Sequence, residues 1–347
     1  MASGKIHHGA QILIAVIMAV AALSVARSVF APVAFALFII AIVWPLQKSL
    51  QGILPRLLAL AVSIIVMVGA FLAFGSLIGW AFGRVGRWIV SDAERFQLFY
   101  DQATQWLEGH GIAAAGMLSE TFSVGWMLRT AQTLSGRLNS TMSFWLVVLV
   151  YVILGLLEVD DFGVKLRAMG NQETGARLLR ASASTAAKFR RYILVRTAMS
   201  VVTGLLVWGF ASIVGLPLAQ EWGFIAFSLN YIPFLGPLVA TVFPTLFAVT
   251  QFGSWQAVIA LFACLNLIQF IVGSYIEPRV SGSALSISPA MVLFSVFFWS
   301  YMWGVFGAFI GVPITIALLT FCAQHPSSLW LAELFGAPEQ KSTSLKL

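Results

Sequence analysis

The sequence predicts an all-α, polytopic membrane protein. It should have about eight transmembrane helices, discontinuous or re-entrant segments in its C-terminal half, and a helical extramembrane insertion. Three observations carry that prediction. Of the 347 residues, 60% are hydrophobic and only 10% are charged, where soluble domains carry about 25% charged residues. Apolar runs recur at lengths near the ~20 residues needed to cross a hydrocarbon core about 30 Å thick. Proline and glycine clusters interrupt two of the later runs, where an uninterrupted span would have neither. A water-soluble enzyme, a disordered chain and a collagen-like fibre are excluded, because none can be built with so little polar surface.

Residues 1–83 read as three N-terminal transmembrane helices. The first apolar run, Gln11 to Ala26, follows Lys5, His7 and His8. Its basic start and small residues imitate a secretory leader. Val29 to Leu46 follows at once, so the two are read as a hairpin; the third run is Leu57 to Phe82. Residues 84–140 balance their charges and place Phe96, Phe99, Tyr100, Ala103, Trp106 and Leu107 on one helical face. They are read as an extracytoplasmic helical insertion. Residues 141–157 complete a fourth transmembrane helix.

Residues 158–192 form a basic region with seven Lys or Arg against four acidic residues. Asn171 is a plausible N-cap for a helix starting near Gln172, and that helix continues into the next span. The basic excess puts this region in the cytoplasm, and counting spans outward puts both termini there too. The net charge of +7 therefore marks orientation and no nucleic-acid partner. Residues 193–325 are the motif-rich transmembrane half, with runs Ile193 to Val214, Trp222 to Thr250, Ser254 to Ile276 and Ala290 to Phe321; residues 326–347 are a cytoplasmic tail. From Thr197 to Ala332 the only charged residues are Glu221, Glu277 and Arg279.

Chemistry concentrates in the late runs. Asn230-Tyr-Ile-Pro233-Phe-Leu-Gly236-Pro237 puts two prolines and a glycine where a helix should be. Proline removes a donor and pushes its predecessor out of helical geometry. In lipid, the freed backbone groups are tolerated only inside protein or along a wet cavity. A broken span or a re-entrant hairpin is predicted. Ala290 to Phe321 would extend ~48 Å as one helix, more than a bilayer core needs. It carries Gly304, Gly307, Gly311 and Pro313, and Gly307 and Gly311 form a small-xxx-small pair suited to close helix approach. Interrupted segments point to a transport pathway.

Glu277-Pro278-Arg279 lies between the two interrupted runs. It reads as a gate or ligand-contacting pair, or as charges held in interfacial water. Glu221 reads as an N-terminal helix charge. Asn230 and Gln269 are uncharged polar residues at membrane depth that can bond a ligand or a neighbouring helix. Cys264 and Cys322 sit in apolar runs as packing residues. No HExxH, phosphate-binding GxxxxGK[ST] or arginine-repeat helix is present. An enzyme, an ATP-driven pump and a voltage sensor are not expected, and no metal or cofactor is implied.

These residues carry a resemblance. Asn230 to Pro237 resembles the xPyxGP signature of the autoinducer-2 exporter family of bacterial membrane proteins. Glu277-Pro278-Arg279 with Gly282, Leu285, Pro289 and Val292 resembles that family's next block, and Gly304, Gly307, Gly311, Pro313 and Ile314 its closing glycine-rich pattern. The resemblance implies a permease of about eight spans in the bacterial inner membrane, acting on a small solute or ion and assembling as a homo-oligomer. The expected function is export of a small solute, an autoinducer-2-like signal or a related small polar molecule. The pathway residues would be Asn230, Pro233, Gly236, Pro237, Gln269, Glu277, Pro278, Arg279, Gly304, Gly307, Gly311 and Pro313. Two alternatives are a sodium–proton antiporter, which wants an ionisable carboxylate inside the membrane, and a non-transporting scaffold using its basic cytoplasmic helix.

Overall fold

The computed structural model describes residues 2–91, 108–109, 138–252, 254–281 and 287–336. Most of the predicted extracytoplasmic insertion, the motif positions Gly282 and Leu285, and the end of the tail lie outside the described residues. Helices follow one another along the chain: α1 (Ala2–Val25), α2 (Arg27–Gln51), α3 (Arg56–Ser91), α4 (Leu138–Arg167), α5 (Gln172–Ile213), α6 (Ala219–Leu229), α7 (Leu235–Phe252), α8 (Trp255–Phe270), a π-helical segment (Ile271–Ile276), α9 (Glu277–Ser281), α10 (Pro289–Cys322) and α11 (Leu329–Phe335). Among the described residues, six stretches are long and apolar enough to cross a membrane: Arg27–Gln51, Arg56–Ser91, Met142–Arg167, Gln172–Ile213, Trp255–Val280 and Pro289–Cys322. The first predicted run lies in α1, which ends at Val25. Large apolar side chains such as Leu72, Leu146 and Leu194 are left exposed, as lipid-facing residues should be.

The described residues group into two compact units. One draws on Met1–Ile64, Ser143–Tyr192 and Ser283–Leu347, the other on Ile65–Met142 and Ile193–Gly282.

In the first unit, backbone groups left over by proline and by helix ends are met by side chains. Pro45 lies inside α2 and cannot donate to the carbonyl of Ala41, four residues back. The Arg190 guanidinium of α5 donates to that carbonyl at 3.2 Å. The Trp303 indole donates to the carbonyl of Leu23 at the end of α1, 3.1 Å away, one of the terminal carbonyls a helix leaves open. Lys188 donates to the Thr320 hydroxyl at 3.0 Å. Asn171 accepts from the N–H of Thr174 at 3.0 Å, capping α5 as its sequence position predicts.

The second interrupted run, α10, is not one straight helix. Gly304 has φ 67°, ψ −145°, a conformation that favours glycine. Beyond it the chain turns back: a Cβ on Gly307 would lie 1.8 Å from the Trp299 carbonyl oxygen, and one on Gly311 would lie 2.8 Å from that of Ser295. Eight residues along a straight helix are ~12 Å apart, so these contacts require a reversal. The Trp299 indole also donates to the Thr315 hydroxyl across the turn, at 3.3 Å. The break therefore falls at Gly304. Pro313 sits buried in the returning arm without interrupting it. Phe306 and Phe309, just past the turn, pack on Phe35 of α2 with ring centroids 6.3 and 5.9 Å away, and Phe306 stacks on Phe144 of α4 at 3.9 Å.

A methyl group at position 307 has no space. Gly307→Ala should lower stability by about 1–3 kcal/mol or prevent accumulation. Gly209→Ala, where a Cβ meets nothing within 4 Å, should change it by less than about 0.5 kcal/mol. Thermal unfolding in detergent followed by fluorescence-detected gel filtration checks the contrast.

Candidate functional site: a reversed hairpin and a buried ion pair

The second unit is built on the distal half of α5. Arg196, Ser200 and Thr203 repeat at i, i+4 and i+7, which puts them on one helical face, and all three are buried. A little further along, α5 crosses α6 at a pair of glycines. A Cβ on Gly204 would lie 2.9 Å from the Gly223 carbonyl oxygen, and the reverse distance is also 2.9 Å, so only small residues permit this approach.

The segment predicted to break does so as a hairpin. α6 ends at Leu229 and α7 begins at Leu235, and Trp222 near the start of α6 packs on Phe247 near the end of α7 with ring centroids 5.3 Å apart. The two arms are therefore antiparallel. The tip satisfies its own backbone: Ile232 N–H bonds the Leu229 carbonyl at 2.9 Å, Leu235 N–H that of Pro233 at 2.7 Å, and Gly236 N–H that of Ile232 at 2.9 Å. Phe234 takes φ 63°, a left-handed value that costs a non-glycine residue roughly 1–3 kcal/mol. Gly236 is required because a Cβ would lie 2.0 Å from the Leu229 carbonyl oxygen. Pro237 falls in the first turn of α7, where its missing N–H leaves no intrahelical bond unmade.

The tip is fixed to α5 by side chains. The Asn230 amide donates to the Ser200 hydroxyl at 3.4 Å, and the Tyr231 hydroxyl to that of Thr197 at 3.0 Å. Phe74 of α3 packs edge-on against Phe227 and Tyr231, with centroids 5.9 and 5.7 Å away.

One helical turn before Ser200, Arg196 meets Glu277 at 2.9 Å. Their side chains are 9% and 20% exposed, so the pair is largely removed from solvent. The π-helical segment delivers Glu277. Pro278 cannot donate to the carbonyl four residues back, and the helix widens just before it, with Glu277 N–H bonding Val272, five residues back. Such a widening turns the next residues to a new side of the helix and is frequent at functional sites. Glu277 and Arg279 do not face one another. Arg279 is exposed, lies 3.9 Å over the Tyr275 ring and donates to its hydroxyl at 2.7 Å. The Gln269 side-chain nitrogen and the Thr203 hydroxyl are buried with no hydrogen-bond partner among the described residues.

The predicted site residues thus fall into two groups. Asn230, Pro233, Gly236, Pro237, Gln269, Glu277, Pro278 and Arg279 belong to the second unit, and Gly304, Gly307, Gly311 and Pro313 to the first. Sequence reasoning does not single out Arg196, because it follows the basic run at Arg190 and Arg191 and resembles another orientation charge. Its i, i+4, i+7 spacing with Ser200 and Thr203 is the signal that could have found it.

Reversed half-helices, buried hydroxyls and a buried ion pair in an otherwise apolar helical chain define a polytopic membrane transport protein. The chain belongs to the AI-2E transporter family, whose model matches residues 12–326. It is 28% identical over 295 residues to the AI-2 transport protein TqsA of Escherichia coli K12, covering 84% of each chain. It is 23% identical over 319 residues to the putative transport protein YrrI of Bacillus subtilis 168, covering 85% of this chain and 86% of that one. A 207-residue match at 28% identity to the putative transport protein YhhT of E. coli K12 covers 59% and 58%.

Removing one partner of a buried ion pair leaves an uncompensated charge, so Arg196→Gln should destabilise by about 3–5 kcal/mol. Arg279→Gln, on the exposed face, should cost less than about 1 kcal/mol. Detergent melting curves of the two variants, compared with the wild type, decide whether the pair is buried as described.

Proposed function

We propose that the protein exports a small polar solute, an autoinducer-2-like signal or a related molecule, across the bacterial cytoplasmic membrane with both termini on the cytoplasmic side. The tip of the α6–α7 hairpin and the Arg196–Glu277 pair form the solute-contacting part of the pathway. The carrying observation is that Arg196 of the pair lies next to Thr197 and one helical turn from Ser200, the two α5 residues that hold the tip. Neutral hydroxyl and amide groups of Thr197, Ser200, Asn230 and Tyr231 can exchange hydrogen bonds with one another for bonds to an uncharged polar solute. A buried pair such as Arg196–Glu277 closes the interior while matched and exposes two charges when separated, which suits a barrier that must open. Similarity to TqsA over most of both chains supports the substrate class. The second reversal at Gly304, with Gly307, Gly311 and Pro313, is proposed as a further pathway-lining element because it has the same half-helix construction.

A sodium–proton antiporter draws support from the two interior carboxylates, Glu221 and Glu277. Each already faces an arginine within 3.0 Å, so solute export is preferred.

Proteoliposomes loaded with a panel of small polar solutes, with and without ion gradients, test the proposal. For a solute the wild type moves, Asn230→Ala and Glu277→Gln should each lower efflux at least about tenfold, a loss of about 1.4 kcal/mol or more in barrier terms, while Gly209→Ala, where a Cβ meets nothing within 4 Å, keeps the wild-type rate. Undiminished efflux in the first two overturns the site. A wild type that moves no solute under any gradient overturns the export reading, and sodium-driven pH changes in its place would favour the antiporter.

A further inference from the structure

The end of α6 opposite to the tip is held by a second ion pair. Leu218, which precedes α6, has φ 60°, ψ 32° and supplies no side-chain cap. The chain turns there so that the Trp222 indole donates to the Pro217 carbonyl at 3.1 Å. Glu221 lies in the first turn of α6, and its carboxylate is 3.0 Å from the Arg84 guanidinium of α3. The two side chains differ in burial: Glu221 is 3% exposed and Arg84 is 47% exposed. Arg84 also lies 5.8 Å from the centre of the Trp80 ring.

From Glu221 to Asn230 the helix advances ~14 Å. Trp222, beside Glu221, is buried against Phe247 of α7, so the start of α6 and the returning arm are packed as one body. A movement at Glu221 is therefore carried to the tip. The burial asymmetry gives the pair a direction. When they separate, Arg84 keeps the exposure it already has. A charged Glu221 left buried alone is strongly disfavoured, which biases its end of the hairpin toward a displaced position.

We infer that Arg84 and Glu221 are a positioning pair that sets where the hairpin tip rests against Ser200 and Thr197. The inference rests on the reading of that tip as part of the pathway. The two residues act through Asn230 and Tyr231 and do not themselves touch solute.

The test is labelling of Asn230→Cys by a membrane-impermeant maleimide, applied to each face of the membrane in turn, in a full-length chain whose Cys264 and Cys322 are replaced by alanine. Leu265→Cys, buried in the core of the same unit, reports general loosening. Arg84→Gln, which leaves Glu221 buried and unpaired, should speed labelling of Asn230→Cys about tenfold, a ~1.4 kcal/mol shift toward the displaced tip, and Glu221→Gln, which leaves no buried charge, should speed it by a smaller factor of about two to three. The exchange Arg84→Glu with Glu221→Arg should return it to within about twofold of the parent rate, and Leu265→Cys should stay unreactive throughout. If a neutral variant does not accumulate, Arg84→Lys is read in its place, with an expected increase of about two- to fivefold because an ammonium cannot reproduce the guanidinium fork. An unchanged tip rate, an exchange that fails to restore it, or parallel exposure of Leu265→Cys overturns the inference. Labelling needs no solute, so a failed efflux assay with the expected labelling pattern removes the export proposal alone.

Discussion

Hydrocarbon offers no hydrogen-bond partner to a peptide group. Every N–H and C=O that a helix gives up inside a membrane must be met by the protein itself or by a wetted cavity. In this chain that constraint decides where breaks occur and what surrounds them. The turn between α6 and α7 closes its own backbone bonds from Leu229 to Gly236. The carbonyl of Ala41 stranded by Pro45 receives Arg190, and the Leu23 carbonyl near the end of α1 receives Trp303. Where Pro278 withdraws a donor, the helix widens and Glu277 N–H reaches five residues back. The interruptions that make room for polar chemistry are the same places where side chains are committed to repairing the backbone.

Reversal has a second consequence. A half-helix that turns back on itself puts a polar tip inside the second unit without a long polar span. α6 is 11 residues, ~16 Å long, about half a bilayer core. Its tip meets hydroxyls on α5 as well as the Phe74 ring of α3, and the preceding turn of α5 carries the arginine that neutralises Glu277. Close helix approach makes this possible. Gly204 and Gly223 at the crossing, and Gly236 at the tip, each face a backbone oxygen at a distance no side chain could share. Phe234, held left-handed and half exposed, shows that the turn is kept by its surroundings against local preference.

Much of this is legible in the residues alone. Hydropathy is enough for the helical membrane character, because three charges between Thr197 and Ala332 leave no other use for that stretch. The prolines at 233 and 237 announce the break in the sixth run, and Gly236 its tightness. The location of the second break is not legible. Pro313 and three glycines compete for it, and the turn falls at Gly304 because only that residue adopts the positive φ, while Gly307 and Gly311 serve the packing of the two arms. Adjacency also misleads. Glu277 and Arg279 are neighbours but one, and residues so spaced on a helix point to different sides. Pairing is decided by the π-helical register and by Arg196, 81 residues earlier in sequence. Glu221 reads as a helix-end charge and is one, but its arginine comes from α3, at a sequence separation no local pattern reveals.

The claim on which the rest depends is that α6 and α7 form a hairpin, which we propose enters and leaves by one face of the membrane. Gln220 and Gln256 lie near its two ends and are not buried. The direct measurement is labelling of Gln220→Cys and Gln256→Cys, each in a chain otherwise free of cysteine, by a membrane-impermeant thiol reagent in sealed vesicles of known orientation. Reaction of both from the same face is the predicted result. Reaction of the two from opposite faces would mean that this segment crosses the membrane, and would contradict the account.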